Sequence, residues 1–134
     1  MFSQLSLALD SEKIIRIEAK LSEINAISKT GDFKLAEEML INIQEKEAPN
    51  KNFTSKIIIQ IGFIRGLNLI RQEKYPEAEN LYLQLEKPAT ELFGPSSEEL
   101  ALGYYHLGTS LYYQDKFDQA YDSYIASFNI YKNI

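Results

Sequence analysis

Three short stretches of this chain share one pattern: a polar pair, an aromatic, two further residues and an alanine. They are Gly31-Asp32-Phe33-Lys34-Leu35-Ala36, Glu73-Lys74-Tyr75-Pro76-Glu77-Ala78 and Asp115-Lys116-Phe117-Asp118-Gln119-Ala120. The alanines stand at 36, 78 and 120, 42 residues apart each time. Leu40, Tyr82 and Tyr124 keep that period four residues further on, and Ile24, Gly66 and Gly108 keep it upstream. A fixed period of this length marks an architecture of stacked repeats, in which each unit buries its apolar face only against its neighbours.

Apolar spacing says what the unit is. Ile14, Ile17, Leu21, Ile24 and Ile27 recur at three and four, the signature of an amphipathic helix from Glu12 to about Lys29. Thr30-Gly31-Asp32 breaks it, with Gly31 suited to a left-handed helix end and Asp32 to capping the next helix. Phe33, Ala36, Leu40 and Ile43 define a second helix over 33–47, stopped by Pro49 and Asn50. A third spans about 56–72, capped by Thr54 or Ser55, and is apolar nearly all round, as expected of a helix buried on several sides. Its run Ile57-Ile58-Ile59 also suits a strand, but the helical spacing on both sides favours helix. Lys74-Tyr75-Pro76 makes the next turn. The fourth helix runs from Pro76 to Glu86 or past Pro88, and Gly94-Pro95 breaks it. Ser96 or Ser97, followed by Glu98-Glu99, opens a fifth helix over 97–113, and a sixth covers 117–131. Residues 1–10 either extend the first helix or form a separate short one over its end. The expected fold is all-α: one domain over 1–134, with three antiparallel helix pairs (11–48, 54–90, 96–132) stacked as a short right-handed solenoid. A small residue such as Gly66 or Gly108 opposite Ala78 or Ala120 would let paired helices approach closely, and the aromatic after each turn would fill the hairpin wedge.

Composition narrows the function classes. A net charge of −5 and a pI near 4.9 argue against a general nucleic-acid binder and against anionic membrane surfaces. No cysteine is present, which excludes disulfides, thiolate metal sites and cysteine nucleophiles. No run of about 18 apolar residues offers a membrane span, and Met1–Leu9 lacks the basic region of a signal peptide. A cytoplasmic protein is expected. His106 is the only histidine, so neither a histidine metal pair nor a choice of catalytic triads is available. Gly62 and Gly66 lie within a helix and lack the lysine of a phosphate loop. Glu37-Glu38 and Glu98-Glu99 read as solvated first-turn acids. No cofactor and no enzymatic activity are expected.

The repeat resembles the tetratricopeptide repeat. The third unit carries the likeness best, with Tyr104, Leu107, Gly108, Leu111, Phe117, Ala120 and Tyr124. The second keeps Gly66, Leu69, Tyr75, Ala78 and Tyr82 but has Arg65 where a leucine is usual, and the first has Ile24 for the small residue. The period and the linker Leu92-Phe93-Gly94-Pro95-Ser96 are similar to the extended-helix variety seen in kinesin light chains. The resemblance implies a non-catalytic adaptor or scaffold that binds a protein or peptide segment in a groove lined by the first helix of each pair. Carried over by position, that groove holds Leu21, Asn25 and Ser28, then Phe63, Leu67 and Ile70, then Tyr105, Thr109 and Tyr112. Several of these are alternatively core, covered by residues 1–10 or by a neighbouring subunit. The family's carboxylate clamp for acidic tails is matched only at Asn25, since Leu21, Ile64, Leu102 and His106 occupy the other clamp positions. A narrower likeness, Phe63-Ile64-Arg65-Gly66 with Tyr75, Ala78 and Tyr82, and later Asn129-Ile130-Tyr131-Lys132, is to peptide-pheromone receptors of the Rap type, without their effector domain. It suggests a sensor of a short signalling peptide, with a secretion chaperone as a further alternative. The last helix presents Phe117, Tyr121, Tyr124, Ile125, Phe128 and Tyr131 with no polar capping helix after it. A homodimer through this end, a capping partner, or a longer parent array would each account for that.

Overall fold

Turn chemistry sets where the helices begin and end. The computed structural model describes residues 2–47 and 54–134. Among them are six α-helices: α1 Phe2–Lys29, α2 Phe33–Glu47, α3 Thr54–Arg71, α4 Tyr75–Phe93, α5 Glu98–Tyr112 and α6 Phe117–Tyr131. Residues 2–10 extend α1, one of the two readings left open by the sequence. Pro49 and Asn50, the expected stop of α2, lie outside the described residues. The helix α3 opens at Thr54, so Thr54 and Ser55 belong to its first turn rather than preceding it, and Ile57-Ile58-Ile59 is helical. The helix α4 continues through Pro88 to Phe93. A proline there forfeits one backbone hydrogen bond, yet Ala89 just beyond it is fully buried. Gly94 N–H then donates to Thr90 O at 2.9 Å and ends the helix.

Gly31, Glu73 and Asp115 are equivalent positions of the 42-residue period, and all three have positive φ (97°, 61° and 61°). Each terminates a helix in the left-handed conformation. After Glu73 and Asp115 the next amide reaches back five residues: Lys74 N–H donates to Leu69 O at 2.9 Å and Lys116 N–H to Leu111 O at 3.1 Å. Asp32 caps α2 as expected, its Oδ1 accepting from Leu35 N–H at 3.2 Å. Ser97 caps α5 through Leu100 N–H at 3.2 Å. Lys74 and Lys116, at the position of Asp32, give no side-chain cap.

The chain divides into two compact units, residues 1–61 and 62–134, with the division inside α3. In the first, α1 packs on α2. Its buried apolar residues are Ile17, Leu21 and Ile24 from α1, Ala36, Leu40 and Ile43 from α2, and Ile57, Ile59 and Ile61 from α3. Burying a side chain such as Leu40 completely is worth about 2 kcal/mol. Lys56 pairs with Glu18 at 3.2 Å.

In the second unit consecutive helices pack antiparallel, α4 on α5 and α5 on α6. Ala78, Tyr82, Leu107, Leu111 and Ala120 form the core. The small residues of the repeat lie against tyrosine rings. A Cβ on Gly66 would lie 2.5 Å from the Tyr82 ring, and one on Gly108 2.8 Å from that of Tyr124. The side chains nearest to the glycines are therefore the tyrosines four residues beyond each alanine. This close approach is why glycine stands in mid-helix, where it costs about 1 kcal/mol relative to alanine.

Candidate functional site

The helix α5 buries Ala101, Leu107, Gly108 and Leu111 and turns Tyr105, Thr109 and Tyr112 outward together. Their i, i+4, i+7 spacing places them on one face. Tyr105 is 50% exposed and Tyr112 49%, large values for residues that carry a broad apolar ring. Two groups of aromatic side chains surround them. In the first, Tyr105 lies against Tyr124, with centroids 5.6 Å apart, and edge-on to His106 at 5.4 Å. The Tyr124 hydroxyl donates to Thr109 Oγ1 at 3.1 Å, and Thr109 donates to Tyr105 O at 3.1 Å. In the second, Tyr112 meets Tyr113 and Phe117 edge-on, each at 5.4 Å, and Tyr113 stacks on Tyr75 at 4.9 Å. Tyr113 (58% exposed) and Phe117 (54%) extend the aromatic surface around Tyr112. Such contacts fix ring orientations without covering their faces.

The other expected groove residues fall differently. Phe63 and Ile70 are half-buried and pack against the core of the second unit. Phe63 stacks on Tyr82 at 6.1 Å, and its carbonyl accepts from the Tyr82 hydroxyl at 3.1 Å. Leu67 is half-buried on the same helix. Asn25 is half-buried on α1 in the first unit, where Leu21 and Ser28 are buried and so line no open face. Phe117, expected to fill a hairpin wedge, is instead exposed against Tyr112. Sequence reasoning missed Tyr113, Phe117 and Tyr124 as members of this surface. Tyr113 directly follows a groove position, and its signal was Tyr75, the aromatic of the preceding turn on which it stacks. Arg65, which the repeat does not explain, is half-buried.

Electrostatics at the site follow from burial. His106 is held down to a pKa of about 4, first by burial and then by the nearby Arg71 charge. It is thus a neutral ring near pH 7, stacked on Tyr82 at 5.9 Å. Burial and the neighbouring Glu86 push Tyr104 up to about 12, and its hydroxyl donates to Glu86 Oε1 at 2.8 Å. Glu79 accepts from Lys116 Nζ and Gln114 Nε2, both at 2.9 Å, and the Lys116 hydrogen bond leads the causes that lower its pKa.

Comparison with protein-family models, with curated proteins and with solved structures finds no match. Among the described residues, no group of three or more His, Cys, Asp and Glu side chains is placed to hold a metal ion, and no helix is long and apolar enough to cross a membrane. What the arrangement offers chemically is contact area with polar tips.

Proposed function

We propose that this chain is a non-catalytic binding module of the tetratricopeptide type, a cytoplasmic adaptor or scaffold that captures a peptide or protein segment. The observation that carries this reading is the open aromatic face of α5, with Tyr105 and Tyr112 half exposed beside Thr109, Tyr113 and Phe117. Tyrosine supplies large, rigid contact area with a hydrogen-bonding tip, which suits binding surfaces. The sequence resemblance points to the same helix. In this reading Phe63 and Ile70 back the surface from the core rather than touching the ligand. The test is affinity capture from native cell extract, with partners identified by mass spectrometry. Replacing Tyr105 and Tyr112 by alanine should abolish capture while helical content stays unchanged; undiminished capture by the double variant would remove the α5 surface from the account.

A second reading, a homodimer, is favoured by α6. Tyr121, Ile125 and Phe128, spaced i, i+4 and i+7, are exposed on one face of that helix. The mass in solution tests it: a Tyr121→Glu/Phe128→Glu variant should be monomeric where the parent is dimeric, and a monomeric parent would dispose of this reading.

A further inference from the structure

A second surface, within the first unit, has a different chemistry. Lys13, Arg16 and Lys20 stand at i, i+3 and i+7 on α1, which places them along one face, and Lys46 stands in the last turn of α2. With Asn42 they rim an open groove of about 430 Å³ whose floor is Ile17 and Ile43. Among the described residues, no acidic side chain lines it. Lys20 has a neighbour in Glu23 at 3.1 Å, whereas among the described residues Lys13, Arg16 and Lys46 enter no ion pair. This is a concentration of positive charge in a chain whose net charge is −5.

The layout selects the ligand. From Lys13 to Lys20 is about 10 Å along the helix, so the cations form a row rather than a cup, and a small anion cannot meet them all. An α-helix carrying carboxylates at i, i+3 and i+7 presents charges with the same pitch. The apolar floor can take a side chain from between them. Among the described residues no aromatic lines the groove to stack a base, and the acidic chain as a whole repels a polynucleotide. We propose that the groove between α1 and α2 docks an acidic amphipathic helix of a partner protein, at a site separate from the aromatic face of α5.

The test uses the full chain and a fluorescent helical peptide of roughly sixteen residues with glutamates at i, i+3 and i+7 flanking two leucines, followed by anisotropy. This peptide should bind, and its lysine counterpart should not. Affinity should fall as salt rises from about 50 to 300 mM. A Lys13→Gln/Arg16→Gln/Lys46→Gln variant should bind about tenfold more weakly or worse, and Tyr105→Ala/Tyr112→Ala should bind as the parent does. That last arm separates this site from the proposed function. Should the triple variant lose helical content, amide shift mapping on the parent decides. Shifts confined to residues 13–20 and 42–46 sustain the proposal, and shifts elsewhere overturn it. No binding of the glutamate peptide, binding that the folded triple variant retains in full, or more effective competition by a single-stranded oligonucleotide or pyrophosphate than by unlabelled peptide would each overturn it.

Discussion

At the turn of the first hairpin, Gly31 takes the left-handed conformation and Asp32 caps α2 through Leu35 N–H. At the turn of the third, Asp115 holds φ at 61° and Lys116 gives no side-chain cap. The first turn is locally favourable at both positions, and the third at neither. Tertiary contacts compensate the third. Lys116 pairs with Glu79, Gln114 joins the same carboxylate, and Phe117 meets Tyr112. The packing positions of the two hairpins also differ. The third puts Gly108 under Tyr124, while the first holds Ile24 and Leu40 at the equivalent places, both fully buried. Bulk has moved from one helix to the other at the same layer, as close packing requires. One hairpin plan is thus compatible with two side-chain solutions, and the third leaves aromatic rings on the surface.

The largest effect expected from breaking this comparison is at Gly108. Gly108→Ile should destabilise the protein by about 3 kcal/mol or more, because even a Cβ there meets the Tyr124 ring at 2.8 Å. Adding Tyr124→Leu, which reproduces the residues of the first hairpin, should restore most of the loss in urea unfolding. Two independent and additive effects would show that the positions do not exchange volume.

Next is His106. Its folded-state pKa lies below the unfolded value of 6.5, at about 4. The unfolded chain therefore binds more protons between these values, so stability present above pH 6.5 is lost as pH falls towards 4. The loss amounts to up to about 3 kcal/mol. Urea midpoints across that range should fall for the parent and stay flatter for His106→Phe. Glu79 adds a separate loss at lower pH, as its depressed carboxyl protonates. Equal slopes in parent and variant would place His106 in solvent.

Smaller effects sit at the turns. Asp115→Gly should stabilise by about 0.5–1 kcal/mol, since glycine enters the left-handed region freely, and Gly31→Ala should destabilise by about 1 kcal/mol. Lys74→Asp should supply the missing cap and add about 1 kcal/mol. Thermal unfolding of the three variants checks the signs.

The helices were legible because their signals are local: the three-and-four spacing of Ile17, Leu21 and Ile24, the Gly31-Asp32 stop, and Ser97 ahead of Glu98-Glu99. For α4 the local sequence left two ends open, at Glu86 or past Pro88; the helix takes the longer course to Phe93, with Ala89 buried beyond the proline, a property of packing rather than of the local sequence. The tyrosine rings nearest to Gly66 and Gly108 were not named as their neighbours, because the period marks equivalent positions, not which of them touch. The same limit applied to the site. Tyr105, Thr109 and Tyr112 could be placed on one helical face from spacing alone. The retreat of Phe63 toward Tyr82 and of Ile70 toward the core, and the meeting of the exposed Phe117 with Tyr112, are contacts that only the folded chain defines.

The most direct test of the central claim is amide and aromatic chemical-shift mapping by NMR with the segment recovered by capture. Binding to the α5 surface predicts the largest perturbations at Tyr105, Thr109, Tyr112, Tyr113 and Phe117, all lost in Tyr105→Ala/Tyr112→Ala. Perturbations that leave these five residues unmoved would contradict the assignment of α5 as the binding face.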